Sequence, residues 1–359
     1  MTQPQSLYLK RPVPRRSRWA RLATFTTIPL AALGVIGFYR PPSALSTTPL
    51  GAIAAATGAP MVVAADSDDV LAAEPSTDAF GRSGALQVRF ALPGGAVQYP
   101  LVVKGNPASL TYQWLRLSDS AAADPGRALG SDTLRAPRLP GFYRLALARD
   151  GVRRIVDGVT LAVMVPFEEK KGGWLDGYRI GTYLAERLHS RKSERPAGFV
   201  QVTAATAELP ISKHLRLADF LNQDDQETWP RYAAVNPRVL DKLELVLEQL
   251  QRWRGGERSQ LRMVFDLHSA FRSPAHNRNV RRAAHDSRHQ YGDAVDVAID
   301  ADGDGRMTVR DAKLVAQAVE IVEFRYPDLV GGMGLYTSRR YRHPYVHIDA
   351  RGKRARWTS

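Results

Sequence analysis

Ser287-Arg288-His289-Gln290-Tyr291-Gly292-Asp293-Ala294-Val295-Asp296 decides how the chain is read, because it sets an imidazole and a carboxylate seven positions apart across a turn that Gly292 makes possible. That spacing suits two ligands of one metal ion. A zinc site needs three or four N or O donors converging at about 2.0–2.2 Å, and a catalytic site keeps one position open for water. A third donor is offered by Tyr345-Val346-His347-Ile348-Asp349, an apolar, strand-like run near the C-terminus. His289, Asp296 and His347 are therefore the expected zinc ligands. The chain has no cysteine, so any metal must be held by His and carboxylate groups.

The stretch fits a Ser-x-His-x-x-Gly-x-Ala-x-Asp pattern at every specified position, and Phe271-Arg272-Ser273-Pro274-Ala275-His276-Asn277 lies just upstream. Leu215-Arg216-Leu217-Ala218-Asp219-Phe220 precedes both. Together these motifs resemble the zinc D-Ala-D-Ala metallopeptidases, whose fold is shared with lysostaphin-type enzymes and the hedgehog signalling domain, and among them the murein endopeptidase branch. The resemblance covers about residues 210–357. It implies an α+β zinc domain of the hedgehog/D-Ala-D-Ala peptidase type in which a zinc-bound water attacks a peptide carbonyl of a peptidoglycan stem or cross-link. Arg272, in the matching Phe-Arg-Ser-Pro motif, is the expected partner of the developing oxyanion, where a fixed charge and forked donors are useful.

The same resemblance leaves the general base open. Several relatives carry a Glu three residues before the last zinc His, and that position here is Pro344. Alternate residues of a strand share a face, which would align His343, Tyr345 and Asp349 with His347. On that reading His343 acts as base and Asp349 orients His347 through its second nitrogen. The alternative is a catalytically inert wall-binding protein built on a peptidase fold.

Asp300-Ala301-Asp302-Gly303-Asp304-Gly305-Arg306-Met307-Thr308-Val309-Arg310-Asp311 places acidic groups at positions 1, 3, 5 and 12 with Gly at 6. This is the EF-hand calcium-loop pattern, in which position 7, here Arg306, supplies a backbone carbonyl. Position 12 is Asp rather than Glu, and the loop follows a strand, as in the solitary loops of dockerin-type modules. Asp300, Asp302, Asp304, Arg306 and Asp311 are the expected calcium ligands. Asp300 lies four residues after Asp296, so a filled loop would fix the strand end that presents a zinc ligand.

The rest of the 359-residue chain is organised around export. Of the net charge of +14, seven units come from Lys10, Arg11, Arg15, Arg16, Arg18, Arg21 and Arg40, all before the first acidic residue, Asp66. Leu22 to Tyr39 is an uncharged run close to the ~20 residues that span a bilayer, and the positive-inside rule would leave residues 1–21 in the cytoplasm. Residues 1–40 are accordingly expected to be a retained transmembrane anchor or signal, giving a single-pass inner-membrane protein with a periplasmic or extracytoplasmic catalytic end. Residues 41–83, rich in Ala, Pro, Thr, Ser and Gly, are expected to be a flexible linker. Alternating apolar positions over 84–167 suggest a small β-sandwich, residues 168–209 a connector, and 210–359 the zinc domain with its calcium loop at 300–311. Within that domain Asn236-Pro237 opens a helix whose buried stripe is Leu240, Leu243, Leu247 and Leu250, closed by Gly255-Gly256. The basic C-terminal end (Arg339, Arg340, Arg342, Arg351, Lys353, Arg354, Arg356) suits a polyanionic partner such as cell wall, and no nucleic-acid recognition module is present to make the rival case.

Overall fold

A computed structural model describes residues 61–63, 73–75, 81–97, 101–104, 106–130, 134–188, 194–224, 226–256, 263–338 and 340–359. The expected membrane anchor at 22–39 lies outside them. Among the described residues no helix is long and apolar enough to cross a membrane. The described part is a mixed α and β structure with many strands and few helices.

Residues 84–167, where a β-sandwich is expected, hold a five-stranded sheet made of β1 (Val88–Ala91), β2 (Thr111–Arg116), β3 (Arg127–Ala128), β4 (Gly141–Arg149) and β5 (Val152–Val163), in the order β1-β5-β4-β2-β3. β1 and β5 run parallel and the other neighbours antiparallel. They also hold Leu101–Lys104, the middle strand of a three-stranded sheet whose outer strands, Met61–Val63 and Ala73–Pro75, fall in the 41–83 segment. The connector supplies Gly198–Val202, which pairs antiparallel with Val165–Pro166 on one side and with Arg231–Ala233 on the other.

The helix expected after Asn236 is α1 (Pro237–Trp253). Asn236 accepts the Arg238 N–H with its side chain, Pro237 occupies the first turn, and Leu240, Leu243, Leu247 and Leu250 are all buried. Burying such a side chain is worth about 1.5–3 kcal/mol, so the stripe rather than intrinsic propensity holds the helix in place. The N–H groups of Arg82 and Ser83 and the Ser83 hydroxyl all donate to the Asp241 carboxylate on α1. This ties the start of the first sheet to the helix.

The C-terminal sheet carries the site. Its strands are β6 (Phe265–Ser269), β7 (Ala294–Ile299), β8 (Gly332–Tyr336), β9 (Tyr345–Asp349) and β10 (Ala355–Thr358), in the order β6-β7-β9-β8-β10. Only the β8–β10 pair is parallel. α2 (Val309–Arg325) follows the acidic loop and is capped by Thr308 and Asp311 acting as a capping box. Lys242 of α1 is fully buried, and its ammonium donates to Glu323 of α2 at 2.6 Å and to the Asp349 carbonyl of β9 at 2.7 Å. Burial pulls the Lys242 pKa down while the Glu323 carboxylate supports its charge. Both helices are thereby fixed to the strand end that bears His347 and Asp349.

Candidate metal centre

Sheet register brings two of the three expected ligands together directly. Asp296 in β7 is the cross-strand partner of His347 in β9, and partners across an antiparallel pair stand on the same face. His289 arrives from a 3-10 turn, Arg288–Tyr291, that ends on Gly292. Gly292 has φ 68°, and a Cβ there would come within 2.1 Å of the Ala234 carbonyl oxygen, so both conformation and space exclude other residues. The turn is held by Arg288, whose Nε donates to both Asp293 oxygens at 3.1 and 3.0 Å.

The three side chains converge. His289 Nε2 lies 3.2 Å from Asp296 Oδ2, His347 Nδ1 lies 2.8 Å from Asp296 Oδ1, and the two imidazole nitrogens are 3.2 Å apart. His289 and His347 are buried and Asp296 is half-buried. Each imidazole has its other nitrogen engaged: His289 Nδ1–H donates to the Ala270 carbonyl at 2.6 Å, and His347 Nε2–H donates to Asp349 Oδ2 at 3.2 Å. In the neutral form of each ring those two bonds leave a lone pair on the nitrogen that faces Asp296, which is the tautomer a metal ligand needs. All three ligand atoms lie within 4.8 Å of one another. Two neutral imidazoles and one carboxylate fit a first-row divalent ion such as zinc.

Charge balance agrees with this donor set at Asp296 and His289, while His347 carries a proton that an incoming ion must displace. Burial pushes the Asp296 carboxyl up, but the two imidazoles beside it more than reverse that and hold it well below the usual carboxylate range. Burial pulls His289 down. His347 is also buried, yet its bonds to Asp296 and Asp349 raise it to about 8. Asp349, fully buried, is held well below the usual range because the His347 and Arg351 bonds outweigh its burial.

Arg272 stands at the edge of the triad, with Nη2 3.7 Å from Asp296 Oδ2. Its backbone N–H donates to the His289 carbonyl at 3.1 Å, which couples the arginine-bearing segment to the histidine turn. Its Nε is buried and has no hydrogen-bond partner among the described residues. His343, by contrast, is not among the groups that converge. β9 begins at Tyr345, so His343 lies in a bend before the strand and strand alternation does not apply to it.

An aromatic wall stands beside the triad, and residue spacing gives no sign of it. The Tyr336 and Tyr345 rings stack at 4.5 Å, Tyr341 meets both edge-on, His268 packs edge-on against Tyr345 at 5.0 Å, and Trp357 lies 5.2 Å from the His347 ring. His268 reaches this wall from a β-bulge between Leu267 and Ser269. Burial and the nearby Asp296 charge raise the Tyr345 pKa well above its ordinary value, so this phenol keeps its proton. Alternating aromatic residues look like ordinary strand positions in a sequence, and the Ala270 carbonyl carries no side-chain signature at all.

The acidic loop forms a second cluster, in which Asp300, Asp302 and Asp304 each offer an oxygen. Asp300 accepts the Gly303 and Gly305 N–H groups at 2.8 and 3.0 Å. Asp311 is turned away from that role: Oδ1 accepts from the Ala301 and Asp302 N–H groups, and Oδ2 from the N–H and hydroxyl of Thr308. Arg306 is exposed, and its N–H donates to Asp304 Oδ1 at 2.8 Å.

No protein-family model matches the chain, and no curated protein matches it. Among solved structures it is similar to the crystal structure of Serratia marcescens L-Ala D-Glu endopeptidase ChiX, with 21% identity and a TM-score of 0.22 over 32% of this chain and 80% of that one. Likeness at that level defines no common fold, and the functional reading stands on the site itself.

Proposed function

We propose that the chain is a zinc metallopeptidase acting on peptide stems or cross-links of peptidoglycan. The observation that carries this reading is the convergence of His289 Nε2, Asp296 and His347 Nδ1, with each imidazole held in its ligating tautomer from behind. The peptide substrate class is supported by the likeness of the Phe271–Asn277 and Ser287–Asp296 motifs to murein endopeptidases. Export to the periplasm on an inner-membrane anchor at 22–39 belongs to the same proposal and is supported by that run and its basic flank.

His289, Asp296 and His347 would hold the ion, and a bound zinc supplies Lewis acidity at this face of the sheet. The protein's own groups do the rest. The Ala270 carbonyl and Asp349 keep both imidazoles oriented. Arg272 keeps a fixed positive charge on a largely desolvated guanidinium at the edge of the triad, which suits a substrate oxygen that becomes negative as a peptide carbonyl is attacked. The Tyr345 phenol, protonated and with no hydrogen-bond partner among the described residues, is a donor on the same side. Asp300, Asp302 and Asp304 would hold a calcium ion with a structural role, since β7 runs from Asp296 directly into this loop.

Digestion of purified sacculi by the zinc-loaded chain, with identification of the released muropeptides, tests the reading. Product that disappears with chelator is expected. Saturable binding to sacculi with no product would instead establish the inert wall-binding alternative.

A further inference from the structure

Two tryptophans that the metal centre does not use stand nearly half exposed, Trp174 at 48% and Trp229 at 45%. Both are braced. Trp174 lies in the hairpin of Trp174–Leu175 and Tyr178–Arg179, whose central residues Asp176 and Gly177 have φ 43° and 78°, the sign that a tight two-residue hairpin turn requires. Each indole also carries a guanidinium: Arg179 Cζ lies 5.9 Å from the Trp174 ring centre, and Arg231 Cζ lies 5.2 Å from that of Trp229. A cation over the ring is attracted by its electron-rich face and holds an exposed indole in place.

Gln226 joins the two halves. Its Oε1 accepts the Arg179 N–H at 2.7 Å, its Nε2 donates to the Arg179 carbonyl at 3.2 Å, and its own carbonyl accepts from the Arg231 guanidinium. The Tyr232 hydroxyl donates to Asp176 in the turn of the hairpin. Two tryptophans distant in the chain thus belong to one surface. That surface adjoins the metal face. Asn222 Nδ2 donates to the Tyr178 hydroxyl of the hairpin at 2.9 Å, while its Oδ1 accepts the N–H of Ser273, next to Arg272, at 2.9 Å. Gln223 donates to the carbonyl of His268, at the aromatic wall, at 3.2 Å.

Exposed indoles of this kind serve three sorts of partner: the interfacial layer of a membrane, the bases of a single-stranded nucleic acid, and the faces of sugar rings. The first two bring phosphates, and the surfaces that meet them are basic. Here residues 171–179 and 223–231 carry three cations against four carboxylates, in a chain whose net charge is +14. A neutral sugar needs no such excess of positive charge. Its C–H groups pack on the negative face of an indole, and its hydroxyls both donate and accept, which suits the amide and carboxylate groups around these rings.

We propose that Trp174 and Trp229 form a platform for a polysaccharide strand, each indole stacking on one pyranose ring. The identity of the strand rests on the peptidoglycan reading: it is the glycan chain from which the peptide stems branch, held so that a stem reaches the metal face beside Arg272. The platform itself needs no metal and binds glycan that carries no peptide.

Calorimetric titration of the full chain with peptide-free glycan strands, prepared from sacculi with an amidase, tests this, because such strands offer nothing to a peptidase. The glycan is expected to bind, and Trp174→Ala and Trp229→Ala each to weaken it about tenfold or more, as truncation of an aromatic anchor does. Trp174→Phe, which keeps a flat ring, should stay within about threefold of wild type. Trp253→Ala, at the exposed end of α1, should leave binding unchanged, and melting curves check that every variant is folded. No glycan binding by the wild type, unchanged affinity in either folded alanine variant, or an equal loss in Trp253→Ala would overturn the proposal. So would tighter binding of phosphatidylglycerol vesicles or single-stranded oligothymidylate that the same two substitutions abolish, which would make the surface a membrane or nucleic-acid contact. Digestion of sacculi without binding of bare glycan would sink the platform alone, and binding of bare glycan without digestion would sink the peptidase reading alone.

Discussion

Asp349→Asn isolates what the carboxylate behind His347 contributes to the metal centre. Asp349 Oδ1 accepts the Gly332 N–H at 2.7 Å and the Arg351 N–H at 3.1 Å, while Oδ2 faces His347 Nε2 at 3.2 Å and the Arg351 guanidinium. In the variant the two backbone donors fix the amide oxygen at the Oδ1 position. The amide NH2 must then point at His347 Nε2, which becomes an acceptor, and the ring proton moves to Nδ1, the atom that faces Asp296. The ligating lone pair is lost from that nitrogen, and Arg351 confronts a donor where it had a charge. Losing a partner of this kind lowers metal affinity about 10–100-fold, or about 1.4–2.7 kcal/mol. Competition titration against a chromophoric zinc chelator, with circular dichroism to confirm folding, measures it directly. A zinc Kd within twofold of wild type in folded Asp349→Asn would refute the argument that this carboxylate sets the His347 tautomer.

Arg272→Ala should retain zinc and lose on the order of 100-fold or more in turnover on a muropeptide substrate, as removal of an oxyanion partner does; near-normal turnover with zinc bound would remove Arg272 from the mechanism. The metal-free protein should lose stability as pH rises through about 8, because a His347 pKa raised from 6.5 to about 8 stabilises the fold fully below the unfolded value and not above the folded one. The shift is worth about 2 kcal/mol. Zinc must displace that proton, so the zinc-loaded protein should show no such loss between pH 7 and 9; parallel melting-temperature profiles with and without metal would contradict this. Calcium at 100 times its Kd should stabilise the chain by about 2.7 kcal/mol if the acidic loop binds it. Identical melting curves with and without millimolar calcium, for wild type and for Asp302→Asn with Asp304→Asn, would reduce the loop to an acidic turn.

What the sequence discloses here is what side-chain identity and local spacing can encode. His289 and Asp296 are close in the chain, Gly292 announces the turn between them, and His347 sits in an apolar run, so the three groups that the fold brings together are legible from residue type and position alone. Helix α1 is equally legible, through Asn236-Pro237 and its leucine stripe. Of the groups behind the ligands only Asp349 is legible, as a strand neighbour two residues from His347. The Ala270 carbonyl that orients His289 is a backbone atom, and Lys242 reaches the Asp349 carbonyl only because helix packing delivers it. His343 shows the limit of period-2 reasoning, which holds only once the strand has begun. Asp311 shows another: the position that suggests a calcium ligand also suits a capping box, and both of its oxygens serve the start of α2 and the loop backbone.

Metal analysis of the purified wild-type chain and of His289→Ala and His347→Ala, each confirmed as folded, tests the central claim most directly. One zinc equivalent is expected in the wild type and less than a tenth of that in either variant, since removing one of three ligands leaves a two-donor site. A full zinc equivalent retained by either folded variant would contradict the assignment of His289, Asp296 and His347 as the metal centre.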